Sequence, residues 1–429
     1  MAEAILIGGM ILLSLIGTPL VFGVLFVSFV AVVVFRPEMP WAFFAQTFIS
    51  GLDHYSLMAI AFFFLAGELM NFGGITQRLV DFANSIVGHI RGGLAHVTVA
   101  TSMFMAGISG SAVADAAAVG AVLIPSMKKA GYTPAFAAAV TETASVIGPI
   151  IPPSIPMIIY AVLAEVSVGR MFLGGVIPGI IVGLALMAFI YYISKKRGYP
   201  RGDTKPTFAS IGRAALLAAL PLLAPVLIVG GILFGVFTAT EAGAVACLYA
   251  VIVGGLIYRQ LSLKDIWGSL LRAAHGTAKV MIIIGSCTVF AWVVADLRIS
   301  EKAADLIFSI SREPWMVLLM LTIFLFIVGL FLDPTPSLII LVPILLPITT
   351  QLGIDPIHFG VLMVINLLIG LCTPPVGFLI YLSASIADCS SEDVIRESVP
   401  FIAVLVVVLI LCTYVPSLVM ALPNYFYGK

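Results

Sequence analysis

Two polar stretches interrupt long apolar runs of this sequence, and their side chains could hold a small cation. The first tip is GISGSAVAD, Gly107 to Asp115, and the second tip is GLFLDPTPS, Gly329 to Ser337. They offer hydroxyl and carboxylate oxygens, together with glycines that let backbone approach closely, at Ser109, Gly110, Ser111, Gly329, Asp333 and Thr335. Sodium is a hard cation that prefers oxygen ligands, as calcium and magnesium do. A carboxylate at membrane depth is expensive, so Asp333 in particular signals function.

Each tip is followed by an apolar run that a Pro-Pro pair interrupts near its centre. The first break is IGPIIPPS, Ile147 to Ser154, and the second break is GLCTPPVG, Gly370 to Gly377. Proline removes a backbone donor and clashes with the preceding turn, so a straight helix cannot continue through it. In lipid, irregular backbone is tolerated only where protein or a water-filled cavity covers it. Either each break is a kink without a ligand, or its freed carbonyl and N–H groups bind one; the matched pair favours a ligand.

The two tips and the two breaks form an internal repeat. A shift of 222 residues aligns seven structure-breaking residues of the first unit, Gly107, Pro125, Gly131, Pro134, Gly148, Pro152 and Pro153, with Gly329, Pro347, Gly353, Pro356, Gly370, Pro374 and Pro375. Single coincidences of glycine or proline are common, but seven at one offset are not. The repeat is the strongest signal in the sequence.

The composition indicates that most of this chain is embedded in a lipid bilayer. Of 429 residues, 61% are hydrophobic and only 10% are charged, whereas soluble domains carry roughly 25% charged residues. Long apolar runs predict an all-α polytopic membrane protein. The formal net charge is zero, which gives no indication of a nucleic-acid partner. No G-x-x-x-x-G-K-[ST] sequence is present, so the chain has no P-loop for ATP.

The long apolar segments predict inverted repeats, each with a re-entrant hairpin and a discontinuous helix. Segments 94–127 and 315–351 are too long for one crossing and turn at the tips, whereas 134–165 and 357–388 are broken at Pro-Pro. Basic residues near 195–205 place that loop in the cytoplasm. Five crossings between the hairpins then put them on opposite faces. Segment 4–35 is either one long span or two short ones that part at residues 17–19.

The flanks of the hairpins alternate charged and apolar residues at helical spacing. ITQRLVDFANSIVGHIRG and LRISEKAADLIFSISRE are interpreted as interfacial arm helices, with plain amphipathic connectors as an equal alternative. Asp115, Glu142, Glu241 and Asp296 also lie in or near apolar segments, and a helix cap or an ion pair explains each at least as well as a functional role.

Broken helices in inverted repeats are typical of secondary transporters, whose half-helix N-termini face anions and whose free carbonyls bind coupling ions. Two other classes of membrane protein are compatible with parts of this pattern. An intramembrane serine protease using Ser109 would need a base within hydrogen-bond reach of the Gly-x-Ser-Gly motif. The histidines are predicted to lie near segment ends, in interfacial stretches or in loops, so none is expected beside Ser109 at mid-membrane. A channel would also accommodate re-entrant hairpins, but no selectivity-filter signature occurs. Both are remote alternatives to a carrier.

The chain resembles the large membrane subunit of TRAP (tripartite ATP-independent periplasmic) transporters over essentially its whole length. The resemblance rests on SGSAVADAAAVG, GPIIPPS, LDPTPS, GLCTPPVG and FFFLAGELM. It implies a sodium-coupled elevator (of the ion-transporter-superfamily type) in the bacterial inner membrane. It also implies two partners, which are a four-helix small membrane subunit on a separate chain and a periplasmic substrate-binding protein.

The resemblance also assigns roles to residues of the tips and breaks. One sodium site is expected among Ser109, Gly110, Ser111, Gly148 and Ile151, and another among Gly329, Asp333, Thr335, Gly370 and Thr373. The substrate is expected near Pro153, Ser154, Pro374 and Pro375. The family carries organic acids. N-acetylneuraminate is favoured here, with C4-dicarboxylates or other carboxylates as the alternative.

The expected organisation alternates scaffold and transport units along the chain. Its predicted parts are scaffold helices and the first arm (1–92), the first transport half (93–165), scaffold (166–297), the second arm (298–314), the second transport half (315–390) and a C-terminal scaffold helix (391–429). The exposed scaffold faces are expected to contact the small subunit or the lipid bilayer.

Overall fold

The computed structural model describes residues 18–202 and 207–428, together with residues 6, 8, 9, 12, 13 and 16. Up to the basic loop, the helices are α1 (Leu20–Phe35), α2 (Ala42–Leu52), α3 (Met58–Phe72), α4 (Ile75–Val87), α5 (Gly93–Ser109), α6 (Ala112–Lys129), α7 (Pro134–Ser145), α8 (Ile155–Leu163) and α9 (Val168–Arg197). After it come α10 (Phe208–Leu233), α11 (Ala239–Val251), α12 (Leu263–Asp296), α13 (Ile299–Ile310), α14 (Pro314–Gly329), α15 (Pro334–Gln351), α16 (Pro356–Gly370), α17 (Phe378–Ala387), α18 (Ser391–Tyr414) and α19 (Ser417–Tyr427). A short π-helix, Ile252–Ile257, continues α11.

The architecture confirms the all-α fold with two repeated units. Hairpin 1 is α5 and α6, and hairpin 2 is α14 and α15. Both α6 and α15 contain 18 residues and begin 222 residues apart, at Ala112 and Pro334. The discontinuous helices also match, because α7 and α16 begin at Pro134 and Pro356. Both Pro-Pro peptide bonds are cis.

The helices stop at the tips and breaks for local reasons. Gly110 adopts φ of 60°, a left-handed conformation that ends α5. Ser111 then caps α6, since its hydroxyl accepts a hydrogen bond from the N–H of Ala114 at 3.4 Å. Asp333 caps α15 in the same way, accepting from the N–H of Thr335 at 3.0 Å. These caps satisfy backbone donors that would otherwise be unpaired within the membrane.

The second half-helix of each repeat packs against the hairpin of the other repeat. Hairpin 1 packs against α7 of its own unit and against α17 of the other unit. Hairpin 2 packs against α16 of its own unit and against α8 of the other. The hydroxyl of Tyr160 in α8 donates a hydrogen bond to the Pro356 carbonyl oxygen at 2.7 Å, which fixes one of these crossings. Both tips are therefore brought to the breaks at the centre of the fold.

The membrane-spanning character of the chain follows from its helix lengths. Seven described helical segments are long and apolar enough to cross a bilayer, and the bent pair of α13 and α14 would make an eighth. That pair bends by 118°, as an arm helix leading into a re-entrant hairpin requires. The helices α5, α16 and α17 are shorter, in keeping with re-entrant or broken segments.

Three features of the helices differ from the sequence-based predictions. The single C-terminal helix predicted for 391–429 is two helices, because Val415 precedes Pro416 and takes a non-helical conformation that stops α18. The apolar segment 276–297 is the second part of a 34-residue helix, α12. Helix α2 was not predicted at all. The possible break within 4–35 falls at the start of α1, after Pro19, but most residues before it lie outside the described residues.

Candidate functional site

The first tip lies directly on the first break. A Cβ built on Gly110 would lie 2.6 Å from the carbonyl oxygen of Pro153, so only glycine fits. A Cβ built on Gly148 would lie 2.3 Å from Oδ2 of Asp115, so this carboxylate rests against the bare backbone of the break. The structure thus brings together the predicted residues Ser109, Gly110, Ser111 and Gly148, and adds Asp115 to them.

Asp115 is the most polar group at this junction. It is fully buried, and the Ser109 hydroxyl donates a hydrogen bond to its Oδ1. Ser109 Oγ in turn accepts from the N–H of Ser111 at 3.3 Å. Oδ2 has no hydrogen-bond partner among the described residues. A buried carboxylate oxygen without a partner is costly, so the junction has the chemistry of a site that takes a cation.

The first break supplies further oxygens. Among the hydrogen bonds of the described residues, none is accepted by the carbonyl groups of Gly148, Ile150 or Ile151. Pro153 and Ser154 are buried. The Ser154 hydroxyl is engaged within the break, because it donates to the Pro149 carbonyl and accepts from the N–H of Met157 at 3.2 Å. Ser154 therefore caps α8, and its predicted contact with a substrate stays a prediction.

The second tip meets the second break through two glycines. A Cβ on Gly370 would lie 2.3 Å from the carbonyl oxygen of Gly329, so the two backbones are in direct contact. Asp333 lines a cavity of about 160 Å³ beside this contact and is exposed to it. Unlike the first break, the second is partly exposed at Thr373, Pro374 and Pro375.

Thr373 and Thr335, both predicted at the second site, each make a hydrogen bond within their own segment. Thr373 donates to the carbonyl oxygen of Ile369 at 2.8 Å, so its hydroxyl is turned back onto α16. Thr335 is half-buried, and its N–H is bound by Asp333. The position that corresponds to Asp115 in the repeat is Ser337, which donates to the Asp333 carbonyl oxygen at 2.8 Å. The acidic group lies in the first turn of α6 in one unit and at the cap of α15 in the other.

A second buried acid, Glu142, lies where α7 meets the second break and α18. Its side chain is fully buried; Oε1 is hydrogen-bonded to Ser398, and Oε2 has no partner among the described residues. Cys372 of the second break donates from Sγ to the Glu142 carbonyl oxygen at 3.4 Å. Glu142 thus ties the first discontinuous helix to the second break.

We expect the variant Ser398→Ala to lower the free energy of unfolding by about 1–3 kcal/mol, since it leaves the buried Glu142 carboxyl without its hydrogen bond. Thermal unfolding of the purified protein measures this. Ser383→Ala is the matched control, because the Ser383 hydroxyl is buried without a hydrogen-bond partner among the described residues. Its removal should be neutral or slightly stabilising, and an equal loss in both variants would contradict the role given to Ser398.

The other two acids have structural roles. Glu241 closes a capping box with Thr238 at the start of α11. Asp296 pairs with Arg36, whose Nε lies 2.9 Å from its Oδ2. Residue type and hydropathy do not separate these two from Asp115 and Glu142. The sequence feature that could have assigned Asp115 to the site is its position in the first helical turn after the polar tip, among alanines and valines.

The described residues contain no group of three or more His, Cys, Asp or Glu side chains that could hold a transition metal. The oxygen-rich junctions at the tips instead suit a hard monovalent cation such as sodium.

Comparison with known proteins places nearly the whole chain in one family. The family model for the DctM component of the tripartite ATP-independent periplasmic transporter matches residues 7–418. The large permease protein SiaM of the sialic acid TRAP transporter of Vibrio cholerae is 40% identical over 96% of both chains. The large permease protein DctM of the C4-dicarboxylate TRAP transporter of Pseudomonas aeruginosa is 42% identical over 87% of both chains.

The large permease protein YiaN of the 2,3-diketo-L-gulonate TRAP transporter of Escherichia coli is 40% identical over 87% of this chain and 88% of that one. Among solved structures, the YdaH transporter of Alcanivorax borkumensis superposes with a TM-score of 0.65 at 13% identity, with 90% of each chain covered. That likeness concerns the fold alone.

Proposed function

This chain belongs to the family of the DctM component of tripartite ATP-independent periplasmic transporters, and we propose that it imports an organic acid by coupling to sodium. It is a multi-pass inner-membrane permease and not an enzyme. The observation that carries the sodium proposal is the Asp115 carboxylate, buried with one unpartnered oxygen against Gly148.

In this proposal the first sodium site uses the Asp115 carboxylate, the Ser109 hydroxyl and the free carbonyls of the first break. The second uses Asp333 and the carbonyls of the second break, beside the Gly329–Gly370 contact. Sodium at either place would neutralise a carboxylate that lipid and protein solvate poorly. The Na⁺ ions would thereby hold each tip on its break, which links ion binding to the shape of the site between them.

The substrate is proposed to lie between the two Pro-Pro turns. Helices α8 and α17 both begin there, and their N-termini provide partial positive charge for a carboxylate. Pro374 and Pro375 are accessible, whereas Pro153 and Ser154 are covered. We favour N-acetylneuraminate. C4-dicarboxylates and other carboxylates are the alternative, since relatives of similar identity are named for both kinds of substrate.

Transport is proposed to follow an elevator mechanism in which the hairpins and discontinuous helices move together. The packing supports including α9 and α18 in the moving unit, unlike the division predicted from the sequence. A Cβ on Gly175 of α9 would lie 2.2 Å from the Ile150 carbonyl oxygen, and one on Gly179 would lie 2.3 Å from Cγ1 of Ile151. A helix so closely fitted to the first break would move with it.

Two partners belong to the proposal. A periplasmic binding protein would deliver the substrate to the outer face, and a small membrane subunit would brace the scaffold helices. Exposed apolar side chains on α10, such as Leu216 and Val226, offer a surface for that subunit or for lipid.

Uptake into proteoliposomes tests this function. The chain is reconstituted with its small subunit, and uptake of labelled N-acetylneuraminate, succinate and 2,3-diketo-L-gulonate is followed under an inward sodium gradient. We expect one organic acid to accumulate, and only when its binding protein is added. Accumulation of succinate alone would keep the mechanism and change the substrate. Uptake that proceeds equally in potassium would refute sodium coupling.

A further inference from the structure

A polar groove that contains no residue of either tip lies where α4, the predicted first arm helix, meets the scaffold helix α10. It has a volume of about 530 Å³ and is formed by the start of α4, the first turns of α10 and the segment after the π-helix. Arg78 lines it from α4 and Arg213 lines it from α10, together with Gln77, Ser210 and Gln260. None of these residues belongs to the proposed sodium or substrate sites.

The two arginines have no acidic partner in this groove. Neither makes an ion pair with a described residue, and the one acidic side chain lining the groove, Asp81, accepts instead from Nε2 of Gln77 at 3.0 Å. Arg78 is held in place, because its guanidinium lies 3.6 Å from the Tyr258 ring centroid and donates to the Gly74 carbonyl oxygen at 2.7 Å. The groove is therefore a fixed cationic site with a net charge of about one.

The groove lies on the face that carries the basic loop, because the first turns of α10 line it and follow that loop directly in the chain. The end of α4 contacts the loop after α9, since a Cβ on Gly202 would lie 2.2 Å from the Gly88 carbonyl oxygen. Next to the groove, α10 exposes apolar side chains, with Phe208 99% and Leu216 79% exposed. A ligand with a phosphate head and an apolar tail matches both features, whereas a free anion matches only the first.

We propose that this groove binds the phosphate of an anionic phospholipid, such as phosphatidylglycerol, through Arg78 and Arg213. The amide groups of Gln77 and Gln260 provide further donors to the headgroup, and the acyl chains follow the apolar side of α10. Basic pockets at the cytoplasmic membrane surface suit such headgroups. The lipid would join the first arm, which leads into hairpin 1, to a scaffold helix.

Lipid retention measured by native mass spectrometry tests the site. The full chain is purified in detergent with equal amounts of phosphatidylglycerol and phosphatidylcholine. We expect the wild type to retain phosphatidylglycerol, and Arg78→Gln and Arg213→Gln each to retain about fivefold less, from the typical contribution of one cationic side chain at an anionic surface. Lys196→Gln removes an exposed charge in the last turn of α9, outside the groove, and should behave as wild type.

Melting in phosphatidylcholine alone checks that all variants are folded. Equal retention of phosphatidylglycerol by the Arg78→Gln, Arg213→Gln double variant and by Lys196→Gln would overturn the proposal. Displacement of the retained lipid by inorganic phosphate would also overturn it, by assigning the groove to a free anion. Loss of lipid whenever the small membrane subunit is co-purified would overturn it in favour of a protein interface.

Discussion

Asp115→Asn should raise the sodium concentration needed for half-maximal uptake by at least about 30-fold. Removing one member of a buried charge pair costs about 2 kcal/mol or more, and the asparagine keeps the shape of the side chain while losing its charge. Its amide can still accept from Ser109, so the tip should stay folded on the first break. The measurement is the initial rate of organic-acid uptake as a function of sodium concentration.

The matched control for this variant is Asp296→Asn. Asp296 also lies at the end of an apolar helix, but it pairs with the exposed Arg36, and such pairs contribute little. Its sodium dependence should equal that of the wild type. An unchanged half-maximal concentration in Asp115→Asn would show that the buried carboxylate takes no part in sodium binding.

Gly370→Ala is expected to abolish transport and to lower the free energy of unfolding by about 1–3 kcal/mol. The new methyl group would lie 2.3 Å from the oxygen and 2.4 Å from the carbon of the Gly329 carbonyl. Backbone cannot rotate away as the end of a flexible side chain can, so hairpin 2 must separate from the second break. Uptake and thermal unfolding of the purified variant report the two effects.

Gly230→Ala provides the comparison for a glycine-to-alanine change. A Cβ on Gly230, within α10, meets nothing within 4 Å. Alanine has the higher helix propensity there, by up to about 1 kcal/mol. The variant should therefore be as active as the wild type and no less stable. Normal uptake by Gly370→Ala would mean that hairpin 2 does not need its close contact with the second break.

The repeat and the helix breaks could be predicted from the sequence because their causes are local. Pro152 and Pro153 stop a helix wherever they occur, and Gly110 permits a left-handed turn without help from other parts of the chain. A shift of 222 residues then located the second unit, with α15 beginning at Pro334, as α6 begins at Ala112.

The roles of single acids could not be predicted in this way, because their partners are distant in the chain. Asp115 becomes significant only when Gly148 is folded against it, and Glu142 depends on Ser398, 256 residues away. The sequence does not distinguish Asp296 from these two acids, because its partner Arg36, directly after α1, is 260 residues away. Hydropathy describes how a residue type partitions between water and an apolar phase. It does not indicate which other side chains that residue contacts in the fold.

The solvent accessibility of the two junctions also could not be predicted from the sequence. The repeat predicts two equivalent junctions, yet the first is buried and the second borders a cavity. The difference arises from side chains at matched positions, since Ser109 of the first tip corresponds to Phe331, which is 59% exposed. A repeat in backbone geometry therefore does not require a repeat in the accessibility of its sites.

The most direct test of sodium coupling is the thermal stability of the purified chain in sodium chloride against equal concentrations of potassium chloride. It requires neither substrate nor partner protein. An ion that binds the folded state selectively raises the midpoint of unfolding as its concentration exceeds its dissociation constant. We predict a rise with sodium that saturates, exceeds that with potassium and is reduced in Asp115→Asn. Identical curves in the two salts would contradict the assignment of sodium to the tips and breaks.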